Sequence, residues 1–152
     1  MRQSAGIVLY RNPSSALEIF LVHPGGPFWE SKDLGAWSIP KGEFAENEEP
    51  LAAAIREFEE ETGYKVDGGF RELLPVKQKS GKLVRAWALE GSIDEKNIKS
   101  NTFNLEWPPR SGKFMQFPEV DKGEWFGVDS ALQKINASQA GFITQLLDLL
   151  AR

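Results

Sequence analysis

Residues 41–64 of this 152-residue chain carry a larger net negative charge than the chain as a whole. The segment contains eight acidic and two basic side chains, a net charge of −6, whereas the whole chain carries −4. The remainder is therefore +2, so the acidity is local. Concentrated acidity favours a cation site over a generally acidic surface. It also argues against duplex nucleic acid as a partner, because such a partner requires a broad basic face.

The second half of this segment has the pattern of an amphipathic helix. Proline suits the first helical position and Gly63 is a common residue at a helix C-terminus, so we expect a helix that starts at Glu49 or Pro50 and stops at Gly63. At about 100° per residue, the apolar and acidic side chains separate onto two faces. The acidic face carries Glu57, Glu60 and Glu61, and the apolar face carries Leu51, Ile55, Phe58 and Thr62.

Three carboxylates on one helical face repel one another. Each like-charged pair at i, i+3 or i, i+4 costs roughly a few tenths of a kcal/mol. Glu60 and Glu61 also lie near the helix C-terminus, where the helix dipole disfavours negative charge. A divalent cation between the carboxylates would reverse the sign of these interactions. The alternative is a solvated acidic face that binds no metal, since most glutamate-rich helices are of that kind.

The composition restricts the metals that could bind. The sequence has no cysteine and one histidine, His23, which excludes thiolate sites and multi-histidine sites. Oxygen ligands select hard cations such as Mg²⁺, Mn²⁺ or Ca²⁺. His23 ends a predicted strand, so we expect an imidazole at the surface or packed against a loop, and not a catalytic group.

The loop before the helix adds a specific spacing. Gly42 is followed after five residues by Glu48 and, after seven more, by Arg-Glu-Phe-Glu-Glu-Glu-Thr-Gly-Tyr over residues 56–64. This pattern resembles the signature of the Nudix hydrolases, whose seven fixed positions all match. The two apolar positions differ, because Phe58 and Tyr64 stand where the family usually has aliphatic residues. Both side chains are large enough to pack, so we expect a slightly rearranged core contact.

The resemblance implies an α/β fold in which a mixed β-sheet is sandwiched between α-helices, in α/β/α layers. It also implies a loop–helix–loop that binds divalent cations, usually Mg²⁺ and alternatively Mn²⁺, and hydrolysis of a nucleoside diphosphate linked to another moiety. The metal ligands implied by position are the backbone carbonyl of Lys41 and the carboxylates of Glu57, Glu60 and Glu61. The supporting residues are Gly42, Glu48 and Gly63, while Arg56 orients the carboxylates.

Hydrolysis needs a base that takes a proton from water. The resemblance offers either Glu57 or an acid from a later loop, and the later acids are Glu106, Glu119 and Glu124. Glu119 lies six residues before Trp125, a placement similar to the loop glutamate of the family's dinucleoside polyphosphate hydrolases. Together with the sequence of residues 37–42, this placement of Glu119 makes the chain resemble the dinucleoside polyphosphate and nucleoside triphosphate branch of the family most. Glu119 and Glu57 both stay open as the base.

Basic and aromatic side chains are candidate substrate contacts. Lys41 stands next to Gly42 of the signature, where it could contact a phosphate. Phe28 and Trp29 lie in a loop rich in glycine and proline, a poor place for core packing, so we expect one of them to stack on a nucleobase. Arg110 and Lys113 belong to a basic loop that could hold distal phosphates, with a solvated loop as the alternative. We therefore expect a nucleotide-type small molecule as the substrate.

Length and hydropathy indicate one domain. A chain of 152 residues can form a single domain, residues 1–152, with its own hydrophobic core. No apolar run approaches the roughly 20 residues of a membrane helix, and the N-terminus lacks the apolar core and cleavage site of a secretory signal. We therefore expect a cytoplasmic protein without a membrane partner; the oligomeric state stays open.

Local patterns predict the other elements. Apolar, β-branched and aromatic runs predict strands over residues 7–10, 19–22, 36–39, 70–76, 83–89, 102–107 and 125–128. A hairpin tip is expected at residues 79–82, and Asp129 is expected to cap a short helix through Ile135. A C-terminal helix over residues 138–150 should bury one stripe, formed by Phe142, Ile143, Leu146, Leu147 and Leu150.

These observations favour a divalent-metal-dependent Nudix hydrolase that cleaves a phosphoanhydride bond of a nucleotide-type substrate. The alternative is a non-catalytic Nudix-fold domain that binds a nucleotide and regulates a partner, although a degenerate signature is typical of such domains and this one is complete. The isopentenyl diphosphate isomerase branch is disfavoured because it relies on a cysteine, and the sequence has none.

Overall fold

The computed structural model describes residues 2–151. The strands are β1 (Gln3–Arg11), β2 (Glu18–Pro24), β3 (Lys41–Glu43), β4 (Arg71–Glu72), β5 (Val76–Lys77), β6 (Leu83–Glu90), β7 (Thr102–Glu106), β8 (Phe114–Pro118) and β9 (Val120–Gly127). The α-helices are α1 (Pro50–Thr62), α2 (Val128–Lys134) and α3 (Ala140–Leu150). Short 3₁₀ turns cover Pro13–Ser15, Glu95–Asn97 and Ala137–Gln139.

Seven strands form one mixed sheet. The order across it is β4-β6-β1-β2-β9, with β3 also paired to β1 and β5 also paired to β6. β1 and β6 run parallel, and the other pairs in the sheet are antiparallel. β7 and β8 form a separate antiparallel hairpin. The strand prediction for residues 102–107 is confirmed by β7, whereas the charge-free strand β8 was not predicted.

Helices cover both faces of the sheet, which confirms the α/β/α layers that the sequence implied. β1 is buried on both faces, and its side chains alternate between two hydrophobic clusters. Ala5, Ile7 and Leu9 pack with Phe58 of α1. On the other face, the cluster holds Val8 and Tyr10 of β1, Ala131 and Ile135 near α2, and Phe142, Ile143 and Leu146 of α3.

β1 and β2 separate after a short paired stretch, and this separation positions the site. The two strands pair at Tyr10 with Ile19 and at Arg11 with Glu18. Farther along, β1 pairs with β3, where Gly6 stands opposite Lys41, and β2 exchanges backbone hydrogen bonds with Ser38. The segment of residues 38–43 therefore crosses from β2 to β1 and brings β3 next to α1.

Several elements agree with the sequence patterns. Strands occur at residues 7–10, 19–22 and 83–89, and a turn occupies the hairpin tip at residues 79–82. The helix expected from Glu49 or Pro50 to Gly63 is α1, which begins at Pro50 and ends before Gly63. Within residues 2–151, no helix is both long enough and apolar enough to cross a bilayer.

Two strand predictions are wrong. Residues 36–39 form only isolated bridges, between Ser38 and Val22 and between Trp37 and Ile135, because this segment leaves one strand to join another. Residues 70–76 split into β4 and the start of β5. Pro75 lacks an amide N–H for a ladder, and the backbone of Leu74 bonds to the side chain of Gln145.

The elements of the C-terminal third differ in detail from those predicted from the sequence. The predicted strand over residues 125–128 begins earlier, at Val120, in β9. Asp129 does not cap α2, because Gly127 holds that position without a side-chain hydrogen bond. In α3, Phe142, Ile143 and Leu146 are buried as predicted, whereas Leu147 and Leu150 are 39% and 38% exposed. Leu147 lies at the edge of the stripe and Leu150 is the last helical residue, so both face solvent.

The apolar face of α1 also differs from the prediction. Ala53, Ala54 and Phe58 are buried, while Ile55 is only half-buried. The buried face is therefore rotated toward Glu57, which is 7% exposed. Tyr64 is half-buried and packs in the same cluster as Phe58, so the two aromatic departures from the family pattern both support the core.

Candidate active site

Capping interactions fix both ends of α1. The carboxylate of Glu49 accepts a hydrogen bond from the Ala52 amide at 2.8 Å, which caps the helix N-terminus. At the other end, Gly63 adopts φ +82°, a left-handed conformation that favours glycine, and its N–H donates to the Glu59 carbonyl at 2.7 Å. The acidic face of α1 is thus fixed between two defined caps.

Arg56 binds three carboxylates at once. Its Nε and one terminal nitrogen donate to the two oxygens of Glu48 at 2.7 and 2.9 Å, a bidentate pair. Its other terminal nitrogen donates to Glu57 at 2.9 Å and to Glu60 at 2.6 Å. These bonds raise the pKa of Arg56, and Glu48 contributes most. A single guanidinium thus brings the carboxylates of Glu57 and Glu60 to one nitrogen atom.

Glu57 lies against the backbone of β3. The Gly42 Cα is so close to this side chain that a Cβ at Gly42 would overlap the Glu57 carboxylate. Burial raises the pKa of Glu57, and the neighbouring charge of Glu60 raises it further, whereas Arg56 lowers it. Gly42 is therefore required by close packing against an acid of α1.

Glu61 reaches the same strand one residue earlier. Its carboxylate accepts a hydrogen bond from the Lys41 backbone N–H at 3.2 Å. Burial raises the pKa of Glu61 to about 8, while the Lys41 amide and ammonium act in the opposite direction. Burial in turn lowers the pKa of the Lys41 ammonium, and Lys82 lowers it further. The Lys41–Gly42 backbone is thus held beside two acids of α1.

Glu119 joins these acids from the connection between β8 and β9. Its backbone N–H donates to the Asn101 carbonyl at 2.8 Å, and its carbonyl accepts from Gly25 at 2.9 Å. Burial raises the pKa of Glu119, and the charge of Glu60 raises it further. Glu119 in turn raises the pKa of both Glu57 and Glu61. An acid about 60 residues away in sequence therefore feels the field of α1.

A cavity of about 210 Å³ opens beside this cluster. Lys41, Glu61 and Glu119 line it, together with the indole of Trp29. The lining also includes four polar residues, which are Ser38, Gln78, Asn136 and Gln139. Six of the residues singled out from the sequence are therefore gathered at one place. Lys41, Glu61, Glu119 and Trp29 line the cavity, while Glu57 and Glu60 act through their charges.

Other predicted contacts lie outside this cavity lining. Phe28 is 58% exposed, and its ring meets Trp107 edge-on at 5.4 Å. Arg110 and Lys113 are exposed in the turn between β7 and β8. His23 is buried, with one ring nitrogen 2.9 Å from Asp121 and the other 2.6 Å from the Lys32 carbonyl. The imidazole thus packs against a loop.

Sequence reasoning missed Gln78, Asn136 and Gln139. Gln78 follows β5, and the other two belong to the connection between α2 and α3. One signal was present, because Asn136 accepts hydrogen bonds from both the backbone and hydroxyl of Ser138, as expected of an asparagine before a helical turn. No local pattern reveals that this turn faces a cavity lined by α1.

The acids of α1 are engaged by the protein itself. Within the described part of the chain, no group of three or more histidine, aspartate and glutamate side chains is arranged to hold a metal ion as it stands. Arg56 occupies one oxygen of Glu57 and of Glu60, and the Lys41 amide occupies one oxygen of Glu61. The donor set nevertheless fits a hard divalent cation in its chemistry, because it consists of carboxylate oxygens, and the charge of Glu60 raises the pKa of Glu57 beyond the effect of burial.

A comparison with protein families decides the relationship. The sequence matches the family model described as NUDIX domain over residues 1–146. This chain belongs to the Nudix family. The mixed sheet between helices is accordingly the Nudix fold, and the signature at residues 42–64 is the acidic segment gathered on α1 and its flanking loops.

Sequence similarity to other proteins covers only part of their length. The mRNA-decapping protein g5R of African swine fever virus (isolate Pig/Kenya/KEN-50/1950) is 54% identical over 44 residues, 29% of this chain and 17% of that protein. The 8-oxo-(d)GTP phosphatase of Mycolicibacterium smegmatis is 28% identical over 145 residues, 88% of this chain and 37% of that protein. The chain thus spans less than two fifths of the length of either relative.

Solved Nudix structures share the fold. A C. elegans Ap4A hydrolase binary complex is similar with a TM-score of 0.69 and 21% identity, covering 97% of this chain and 98% of that one. The NUDIX domain of Shewanella oneidensis NrtR, complexed with ADP ribose, is similar with a TM-score of 0.68 and 18% identity, covering 97% and 87% of the two chains.

Gly42→Ala tests the packing of Glu57 against β3. The new methyl group would displace a buried carboxylate that Arg56 also holds, so we expect the free energy of unfolding to fall by about 1–3 kcal/mol. Gly69→Ala is the matched control, because a Cβ there meets nothing within 4 Å, and it should change stability by less than about 0.5 kcal/mol. Urea denaturation in EDTA gives both values. Equal stability of the two variants would contradict the contact.

Glu61→Gln tests the raised pKa of this acid. The folded state keeps a proton up to about pH 8, whereas the unfolded chain releases it near the ordinary value of 4.5. The wild-type protein therefore loses stability as the pH rises through this window, and the variant avoids that loss. In EDTA, we expect the stability advantage of the variant to grow from about pH 5 to about pH 8. If the urea midpoints of the wild-type protein and Glu61→Gln differed by the same amount at every pH, the raised pKa of Glu61 would be contradicted.

Proposed function

We propose that this Nudix domain hydrolyses a phosphoanhydride bond in a nucleoside diphosphate-linked substrate, such as a nucleoside triphosphate or a dinucleoside polyphosphate. The observation that carries the proposal is the convergence of Glu57, Glu60, Glu61 and Glu119 beside a cavity with an indole wall. Burial raises the pKa of Glu57, Glu61 and Glu119, and the charges of neighbouring glutamates raise these pKa values further. Perturbed acids beside a cavity are a common feature of catalytic sites.

The proposed cofactor is Mg²⁺, with Mn²⁺ as the second choice. Glu57, Glu60 and Glu61 would hold it with the backbone carbonyl of Lys41, and Arg56 and Glu48 would keep the carboxylates in place. A bound divalent cation supplies neutralisation of phosphate oxygens and activation of water. The all-oxygen donor set supports this choice, because magnesium is usually held through carboxylates and substrate phosphates.

Glu119 is the better candidate for the base. Its side chain lines the cavity and makes no hydrogen bond or ion pair with any other residue described in the structure. Burial and the charge of Glu60 raise the pKa of Glu119, which makes this carboxylate a stronger proton acceptor. Glu57, the other candidate, is already bonded to Arg56 and packed on Gly42. A base must reach its proton directly, so the unpaired acid is favoured.

The cavity also supports a nucleotide end. The half-buried Lys41 provides a cation for a phosphate, and Trp29 provides a flat apolar wall for a base. The carboxamides of Gln78 and of Asn136 lie in the same lining, where they can bond the edge of a base. Phe28 extends the aromatic surface, while Arg110 and Lys113 offer positive charge to the distal end of a long substrate. The names of the similar proteins, an Ap4A hydrolase and an 8-oxo-(d)GTP phosphatase, agree with this substrate class.

A substrate panel tests the proposal. Purified protein is incubated with nucleoside triphosphates, dinucleoside polyphosphates and nucleotide sugars, each with Mg²⁺, Mn²⁺ or EDTA, and products are separated by ion-exchange chromatography. We expect metal-dependent formation of two phosphorylated products from at least one nucleotide. A nucleotide that raises the melting temperature while none is cleaved would contradict hydrolysis and support the non-catalytic binding domain.

Glu60→Gln tests the acidic cluster. The variant keeps the shape of the side chain but removes a charge that the cation needs, so kcat should fall by about 100-fold or more. Glu59→Gln is the matched control, because the adjacent Glu59 is exposed on the opposite side of the helix and should keep wild-type kcat. Circular dichroism melting shows that both variants are folded. Wild-type rates in Glu60→Gln would contradict the assignment.

Glu119→Gln tests the base. Loss of general-base catalysis should lower kcat by about 10²–10⁴-fold and remove the acidic limb of the pH–rate profile. Glu124→Gln is the control, since Glu124 was also a candidate from the sequence and is exposed on β9. If Glu119→Gln kept its acidic limb while Glu57→Gln lost it, Glu57 would be the base.

A further inference from the structure

Gln139 is a buried polar residue whose role the sequence does not reveal. It ends the 3₁₀ turn that leads into α3, and its side chain is 1% exposed. A buried carboxamide is costly unless its donors and acceptors are used. Both ends of this carboxamide bond to a segment about 100 residues earlier in the chain. That segment leads directly into the Nudix signature.

The bonds of Gln139 satisfy a backbone group that no strand satisfies. Its Oε1 accepts from the Ile39 N–H at 3.0 Å, and its Nε2 donates to the Ser38 hydroxyl at 3.0 Å. The hydroxyl in turn donates to the Ile39 carbonyl at 2.7 Å. The preceding residue, Ser38, has both backbone groups bonded to Val22 of β2. Ile39 is therefore the residue at which the chain leaves β2. There the side chain of Gln139 accepts the hydrogen bond of the Ile39 N–H, in place of a carbonyl of a neighbouring strand.

The next two residues carry the site. The Pro40 carbonyl accepts from Ile7 of β1 at 3.2 Å, and the Lys41 N–H donates to Glu61 at 3.2 Å. Only one peptide unit separates the Ile39 amide from this pair of contacts. The position of the Lys41 backbone, and of the acids packed on it, thus depends on where residue 39 is held.

The end of α2 and the connection that follows it also hold Trp37, two residues before Ile39. The Trp37 N–H donates to the Lys134 carbonyl at 3.0 Å, and the Trp37 carbonyl accepts from Asn136 at 2.7 Å. Gln139 extends this support across the gap between β2 and β1. No other side chain among the described residues bonds to the Ile39 amide.

We propose that Gln139 is a positioning residue of the active site, which fixes the Lys41 backbone and, through it, Glu61 and Glu57. It does so by holding the peptide of Ile39 between the two separated strands. This inference rests on the proposed hydrolase function for its kinetic consequences, but its structural consequence is measurable in the metal-free, ligand-free protein. The C-terminal part of the chain thereby supports an acidic cluster located on α1.

The chain offers a matched control in Gln145. This glutamine also uses both ends of its carboxamide on a distant segment, although both of its bonds go to backbone groups: it accepts from the Leu74 N–H at 2.7 Å and donates to the Leu74 carbonyl at 3.0 Å. Leu74 lies between β4 and β5, at a residue that does not line the cavity described above. Gln145→Leu therefore removes an equivalent bonded pair without loosening the approach to Lys41.

Amide hydrogen exchange by NMR in EDTA tests the structural part. In the wild-type protein, the Ile39 and Lys41 amides should be protected as strongly as those of β1. In Gln139→Leu, both should lose protection by about 10-fold or more, whereas Gln145→Leu should lose it at Leu74 alone. Rapid exchange of the Ile39 amide in the wild type would overturn the proposal without any variant, including in the case that Gln139→Leu does not fold.

Steady-state kinetics at varied magnesium concentration test the functional part. Gln139→Leu should lower kcat by about 10- to 100-fold and raise the magnesium concentration for half-maximal rate, with little change in the nucleotide KM. Gln139→Glu keeps side-chain length and an acceptor oxygen, so it should recover most of kcat. A Gln139→Leu variant with a lower melting temperature but a wild-type magnesium dependence would overturn the positioning role of Gln139. Absence of turnover in the wild type would refute the hydrolase, while the exchange data would still test the positioning.

Discussion

The pairing of one guanidinium with three carboxylates is the interaction on which the site depends. Arg56 binds Glu48, Glu57 and Glu60, while Glu61 accepts a hydrogen bond from the Lys41 backbone amide. Burial raises the pKa of Glu57, and the charge of Glu60 raises it further although Arg56 acts in the opposite direction, so one positive charge does not offset the neighbouring negative ones. The protein therefore stores electrostatic repulsion on α1, and a divalent cation is the partner that would relieve it.

The fold serves this cluster by separating two strands. Because β1 and β2 pair only at one end, a segment of the chain can pass between them and lay the Lys41–Gly42 backbone against α1. The same opening leaves the cavity that Trp29 and Glu119 line. The mixed sheet thus supplies rigidity on both sides of a gap, and loops from distant parts of the chain supply the side chains that fill it.

What could be predicted from the sequence was local. Helix α1 has its proline, its glycine and its apolar period within 14 residues, so its limits and its acidic face followed from spacing. Residues 36–39 read as a strand but are a crossing, because the partners that hold them lie in β2 and after α2. Gln78, Asn136 and Gln139 gave no usable signal for the same reason. Their role depends on contacts that arise only when the sheet has formed.

The most direct measurement of the central claim is a calorimetric titration of Mg²⁺ into the metal-free protein, followed by its melting temperature. Binding of Mg²⁺ should release or absorb heat that Glu60→Gln removes, and the melting temperature should rise by about 5–10 °C at one hundred times Kd. Neither heat nor added thermal stability in the wild-type protein, with and without a nucleotide, would contradict a divalent cation among these carboxylates.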